Sequence, residues 1–179
     1  MKKIFIGSLL VAAFVCACAT AGKQHEPVSI WTYEKDAITL NFKTDKKLNL
    51  RNRKPHTLLV CVYQLKNTTA FSKLTGDQTG LKELLECEVF DLSMAESKRI
   101  IVNPGNDVNM KLDRAEGVHY VAVVAGYYTI EKNQIVRLYE IPALPEKILF
   151  WKTKNLKPRP IQINLVLGAS QLQDPKTAP

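Results

Sequence analysis

Few side chains in this sequence could carry chemistry. It has four cysteines and three histidines among 179 residues. Cys61 and Cys87 stand alone in the body of the chain, with no CxxC and no histidine at ligand spacing, which argues against a zinc site. In an oxidising compartment they could form a disulfide. They could equally pack as small buried hydrophobes. His25, His56 and His119 sit far apart, where surface or turn histidines are the ordinary explanation. Asp45 and Asp91 each lie near an expected strand end, and neither has a second carboxylate beside it. No GxSxG, HExxH, GxGxxG or P-loop occurs. The expectation is a binding or scaffold protein, not an enzyme, with no metal, no cofactor and no small-molecule substrate.

The other two cysteines belong to the N-terminus. Met1-Lys2-Lys3 is followed by an apolar run from Ile4 to Cys18, a basic start and an apolar stretch of signal-peptide length. At about 15 residues it is shorter than the ~20 a spanning helix needs. Its end, Val15-Cys16-Ala17-Cys18, resembles a bacterial lipobox, with small Ala17 ahead of Cys18; bulky Val15 fits poorly ahead of Cys16. Residues 1–17 then read as a lipoprotein signal peptide and Cys18 as the lipidation site. An ordinary signal peptide cut after Ala17 or near Ala21 is the other reading. Several acyl chains on one cysteine would anchor the protein stably. Ala19 in place of an aspartate favours the outer membrane. Residues 18–27 read as the acylated cysteine and a polar tether, which could extend at most roughly 30 Å.

Residues 28–168 are of one-domain size. Losing Lys2 and Lys3 would leave 23 basic and 17 acidic residues, a net charge of +6. A basic exported protein could meet anionic headgroups or an acidic partner; nucleic acid is not expected outside the cytoplasm. The charge is concentrated in Asp45 to His56, DKKLNLRNRKPH, where five cations face one acid and Leu48 and Leu50 sit among them. That is longer than a simple hairpin loop, and long loops between neighbouring strands tend to be functional or mobile. A solvated loop with no partner remains open.

The loop lies between two strands. Asp36 to Thr44 alternates, with Ile38, Leu40 and Phe42 on one side. Thr57 to Leu65 is β-branched and almost continuously apolar, the pattern of a buried strand. Ser29 to Tyr33 reads as a short initial strand. Asn67-Thr68-Thr69 offers helix caps, and also matches a glycosylation acceptor that means little in a bacterial chain. Phe71 and Leu74, then Leu81, Leu84 and Leu85, suggest two short helices. Val89 to Asp91 is ambiguous. Arg99 to Val102 and Asp107 to Leu112 read as a hairpin around Asn103-Pro104-Gly105-Asn106. Val118 to Tyr128, Ile135 to Ile141 and Ile161 to Leu167 read as further strands. Pro142 to Pro145 reads as a rigid connection, Ile148 to Trp151 as a short edge strand or packed loop, and residues 169–179 as a flexible tail. The sum is a mainly β protein, an antiparallel β-sandwich with a short helical insertion.

Several of these pieces together resemble the type VI secretion system outer-membrane lipoprotein family (TssJ, or VasD-like). They are the lipobox at Cys18, Leu48-Asn49, Pro55 through Val62-Tyr63-Gln64-Leu65, Phe71, Leu81, Asn103-Pro104-Gly105 and Val123-Val124-Ala125-Gly126-Tyr127. The basic run Arg51-Asn52-Arg53-Lys54 and the pair Cys61 and Cys87 stand outside the shared pattern. The resemblance implies a transthyretin-like β-sandwich in the periplasm, tethered to the outer membrane. It implies a partner, the periplasmic domain of the inner-membrane component TssM, within the trans-envelope complex. It assigns partner binding to Leu48, Asn49, Leu50, Arg51, Asn52, Arg53, Lys54, Pro55 and His56, with Leu48 and Leu50 as apolar anchors. The alternative is an unrelated periplasmic lipoprotein that binds a small ligand or folding client in its sandwich.

Overall fold

The computed structural model describes residues 31–148 and 151–175, without the side chains of 146–155. The expected signal peptide, Cys18 and the tether lie outside the described residues, as do residues 29–30 of the expected initial strand; its described part, Trp31 to Tyr33, forms no strand, and the first strand begins at Glu34. Among the described residues, no helix is long and apolar enough to cross a membrane.

Two four-stranded sheets share one core. The first holds β1 (Glu34–Thr44), β4 (Val108–Arg114), β9 (Ile161–Leu167) and β10 (Leu172–Gln173), in the order β10-β9-β1-β4. The second holds β2 (Leu58–Leu65), β3 (Met94–Val102), β5 (Tyr120–Ala125) and β6 (Val136–Glu140), in the order β3-β2-β5-β6. In β1 the expected alternation holds: Ile38, Leu40 and Phe42 are buried while Lys43 is exposed. They meet Ile163 and Leu165 of the same sheet and the inward residues of β2 and β5 in a single buried cluster.

β2 has no solvent face, which explains its unbroken apolar run. On one side Gln64 donates to the Asp113 carbonyl and accepts from the Ala115 amide, both at 2.9 Å, tying β2 to the opposite sheet. On the other side Tyr63 packs against Phe71 and Phe90 and donates to the Leu84 carbonyl. That second face is covered by α1 (Thr69–Leu74) and α2 (Gln78–Leu84). Asp77 caps α2, accepting from the Gly80 amide at 2.8 Å. The helices touch at Gly80, where a Cβ would lie 2.1 Å from the Leu74 carbonyl oxygen. Cys61 and Cys87 are bonded across this layer, with Cα atoms 5.2 Å apart.

The structure departs from the expected elements in five further places. The Asn103 to Asn106 turn is present, with Gly105 at φ +74°, but it does not close a hairpin. β3 pairs with β2 and β4 pairs with β1, so the turn crosses between sheets. β3 begins at Met94, five residues before the expected Arg99. β1 and β9 run parallel, with Ile38 opposite Ile161; the other pairings are antiparallel. Pro142 to Pro145 is not merely a connection: β7 (Ala143–Ile148) and β8 (Trp151–Pro158) form a separate two-stranded sheet. The expected edge strand at Ile148 to Trp151 is the facing ends of this pair, and Leu149 and Phe150 lie outside the described residues. Finally, residues 169–179 are not all loose. Leu172 pairs with Leu167 in β10 and is 1% exposed, because an apolar side chain there completes the core.

Both four-stranded sheets and their core fall within residues 31–175, so a chain starting at Gly22 carries the whole sandwich. Purified in oxidised form, that chain is expected to show no free thiol on denaturation. Replacing Cys61 and Cys87 by alanine should lower its unfolding free energy by about 3 kcal/mol, since the bond closes a loop of 26 residues. Two titratable thiols in the oxidised chain would contradict the bond.

Candidate partner-docking site

The strand registers define two ends of the sandwich. Thr44, Leu58, Val102, Val108, Ala125 and Leu167 mark one end. Here the expected partner-binding loop, residues 48–56, is held against the turn at Asn103 and the segment after β9. The opposite end carries Glu34, Leu65, Tyr120 and Ile161.

The loop is built from the inside out. Asp45 donates its amide to the Leu167 carbonyl and accepts, through its own carbonyl, from Leu48 and Gly105. Leu48 is 0% exposed, inside the core. Its carbonyl accepts from the His56 amide at 3.0 Å, which closes the loop's neck. Asn49 takes φ +47°, tolerable for asparagine. Its side chain donates to the Thr57 carbonyl at 2.9 Å. The Leu50 amide donates to the Ala169 carbonyl at 2.7 Å. Nearby, Lys43 and the Thr44 amide both bond to Asp107, and these bonds hold that carboxyl below its ordinary range, Lys43 most strongly.

Beyond the neck the chain forms a closed tip. Arg51 and Lys54 exchange two backbone hydrogen bonds of 2.9 Å around Asn52 and Arg53. Both central residues have positive φ, 52° and 63°, as in tight two-residue hairpins. Arginine in that region costs roughly 1 kcal/mol more than glycine would. The tip therefore presents a cation in spite of its backbone. Arg51 lies over the Tyr128 ring at 4.5 Å, and His56 meets the same ring edge-on at 5.6 Å. Leu50 is 38% exposed and Tyr128 48%. The outward surface is thus Leu50, Arg51, Arg53, Lys54 and Tyr128.

Residues 48–56 do sit together, but not all of them face outward. Leu48 cannot anchor a partner because it is packed into this chain's own core, and Asn49 is buried as a brace. Leu50 remains available. Sequence reading missed Tyr128, placed within an expected strand; a tyrosine pair at the end of a buried strand was the signal. Among the described residues, no cluster of three or more His, Cys, Asp or Glu side chains could hold a metal. The surface offers cations, an aromatic ring and an aliphatic side chain, groups suited to binding.

Residues 36–166 match the model of the family described as Type VI secretion lipoprotein, VasD, EvfM, TssJ. The chain belongs to this family. It is a lipoprotein-family component with a role in the type VI secretion membrane complex. Among solved structures, it is similar to the type VI lipoprotein TssJ1 from Pseudomonas aeruginosa, at 16% identity and TM-score 0.57, over 83% of this chain and 98% of that one. It is similar to Serratia marcescens Lip, described as a membrane-bound component of the type VI secretion system, at 18% identity and TM-score 0.58, over 84% and 100%. It also matches a chain in a structure described as the TssM C-terminal domain (869–1107) from EAEC, at 16% identity and TM-score 0.54, over 76% and 94%. At these identities the likeness shows the fold. No curated protein matches the chain.

The inward and outward leucines separate experimentally. Leu48→Ala should cost about 2–5 kcal/mol in chemical denaturation, the usual penalty for a buried leucine. Leu50→Ala should stay within about 0.5 kcal/mol of wild type, as surface changes do. Equal costs would mean that the loop is oriented differently.

Proposed function

We propose that this lipoprotein docks the periplasmic region of a TssM-type inner-membrane component through the end of the sandwich bearing Leu50, Arg51, Arg53, Lys54 and Tyr128. Acylated Cys18 would hold it at the periplasmic face of the outer membrane. The observation that carries the reading is the loop itself: an exposed, basic, closed tip braced by backbone bonds to two neighbouring segments. A surface ordered before binding loses less entropy on association. Its charges steer encounter and fix register, while Leu50 and Tyr128 supply apolar contact.

Two further observations support it. The match to the TssM-described structure covers 94% of a chain with only 76% of this one. The second observation is placement. The first described residue, Trp31, lies at the end opposite the loop, where its carbonyl accepts from the Gly117 amide at 2.7 Å. The 11 residues of β1 separate the two ends by about 35 Å. A tether leading from Trp31 to the bilayer leaves the loop pointing away from it. The space between the sheets is filled by buried side chains, which speaks against a ligand-binding sandwich.

The test is binding of the chain from Gly22 to Pro179 to the cognate TssM periplasmic region, wild type against Leu50→Asp with Arg53→Glu. The double variant should fold normally and bind at least about thirtyfold more weakly, the effect of losing one hot-spot contact. Equal affinity would move the docking site elsewhere; no binding by wild type would overturn the TssM reading.

A further inference from the structure

The side of the sandwich formed by β3 and β4 plays no part in the docking end. β3 is the last strand of its sheet, and among the described residues no strand pairs with its outer edge. The direction of its free groups follows from β2. There the Leu59 carbonyl accepts from the Gly126 amide at 2.8 Å, on the β5 side. Backbone groups alternate along a strand. Those of Leu58, Val60, Val62 and Gln64 therefore point to β3, where Val102, Ile100, Lys98 and Glu96 stand opposite. The amides and carbonyls of Ser97, Arg99 and Ile101 point outward, and no backbone group among the described residues meets them.

The side chains along this edge divide between two faces. Ile101 stands opposite Leu59 on the helix-covered face. Glu96 stands opposite Gln64 on the face toward the other sheet and accepts from its amide at 2.9 Å. Lys98 shares that second face. A cleft of about 330 Å³ opens there, between Glu96 and the Lys111, Leu112 and Asp113 of β4, and Tyr33 also lines it. The four most exposed large apolar or aromatic side chains among the described residues all flank this edge: Leu92 at 94%, Val89 at 74%, Ile101 at 60% and Tyr33 at 58%. Val89 and Leu92 belong to the segment that β3 fastens beside itself, through the Ser97 hydroxyl on the Cys87 carbonyl and the Arg99 guanidinium on the Glu86 carbonyl. Tyr33 is held to β4 by donating to the Asp113 carboxylate.

Open ladder groups recognise one chemistry, an extended peptide. Glu96 and Lys98, two residues apart on one face, set the charges it must carry, since opposite charges directly across a ladder attract. We propose that the edge of β3 takes an extended segment of another protein as an added strand, antiparallel like the rest of its sheet. That segment carries an apolar residue opposite Ile101, an acid opposite Lys98 and a base opposite Glu96. A second copy of this chain fits less well. Symmetric pairing about the middle of β3 sets Lys98 against Lys98, and edge lysines are a common guard against such self-pairing. It would also point the two basic loops in opposite directions.

The test is a titration of the isotope-labelled chain from Gly22 to Pro179, read by amide chemical shifts. The probe is a blocked peptide, Thr-Val-Thr-Thr-Glu-Thr-Lys-Thr, whose valine, glutamate and lysine fall opposite Ile101, Lys98 and Glu96. The amides of Ser97, Arg99 and Ile101 should move on its addition. The same peptide with the amides that face β3 N-methylated should not bind. Arg99→Pro removes an outward amide and no bond to β2, a place where an edge strand tolerates proline. It should bind about tenfold more weakly, the effect of one ladder hydrogen bond. Glu96→Lys with Lys98→Glu should reverse the preference, favouring the peptide with its glutamate and lysine exchanged. No shift along β3 in wild type overturns the proposal, as does equal binding of the N-methylated or the charge-exchanged peptide. A wild-type dimer that Arg99→Pro converts to monomer would assign the edge to a second copy and overturn it too. The titration contains no TssM, so this inference and the docking reading can fail separately.

Discussion

Every residue of β2 except Leu59 is buried, and Leu59 packs against the core from its edge. A strand in that position cannot exist in a single sheet exposed on one side. It requires cover on both faces, and the two covers have different origins. The β1 and β9 sheet closes one face, where the Gln64 amide bonds to the backbone of the neighbouring sheet. The helical segment between β2 and β3 closes the other, where Tyr63 meets Phe71 and Phe90. Burial pushes the Tyr63 hydroxyl well above its ordinary pKa, so it stays a neutral donor to Leu84. The bond from Cys61 to Cys87 pins the same cover. The helical insert is thus part of the core and not a decoration on it.

A rigid β2 has a consequence at each end. Where it begins, the loop before it is anchored by Leu48 and closed by His56, so the basic tip is presented in one geometry. Where it ends, Leu65 accepts from the His119 amide, and His119 sits under Trp31 near Arg114. Arg114 is a buried cation, ion-paired with the Glu34 carboxylate at 3.0 Å and donating to the Thr32 carbonyl at 2.9 Å, while its buried Nε has no hydrogen-bond partner among the described residues. Desolvation, aided by that guanidinium, holds the His119 imidazole below its ordinary pKa. Its neutral form is the packed one, so its contribution to stability is complete above about pH 6.5 and is lost as pH falls through the lowered folded value. The two ends thus have distinct physics: a cationic, exposed tip at one, a packed aromatic and guanidinium cluster beside a basic hairpin at the other.

The strand alternation of Ile38, Leu40 and Phe42, the buried run from Leu58 and the closing alternation from Ile161 were all legible, because burial writes period-two patterns into sequence. Pairing partners were not. Asn103 to Asn106 announces a turn equally well whether its strands pair with each other or pass to different sheets. β7 and β8 were hidden because lysines and Pro145 interrupt any apolar pattern. Leu172 was lost in a polar stretch. At the site, a leucine among arginines reads the same whether it points in or out; Leu48 and Leu50 differ only through the backbone bonds that turn one of them inward.

On the proposed reading, one end of the sandwich binds the partner and the other faces the membrane. The most direct measurement is amide hydrogen exchange of the chain from Gly22 to Pro179 with and without the cognate TssM periplasmic region. That division of the two ends predicts slowed exchange in residues 45–57 and around Tyr128, with residues 143–159 unchanged. Protection in the hairpin or the helical insert, with the loop unaffected, would contradict it.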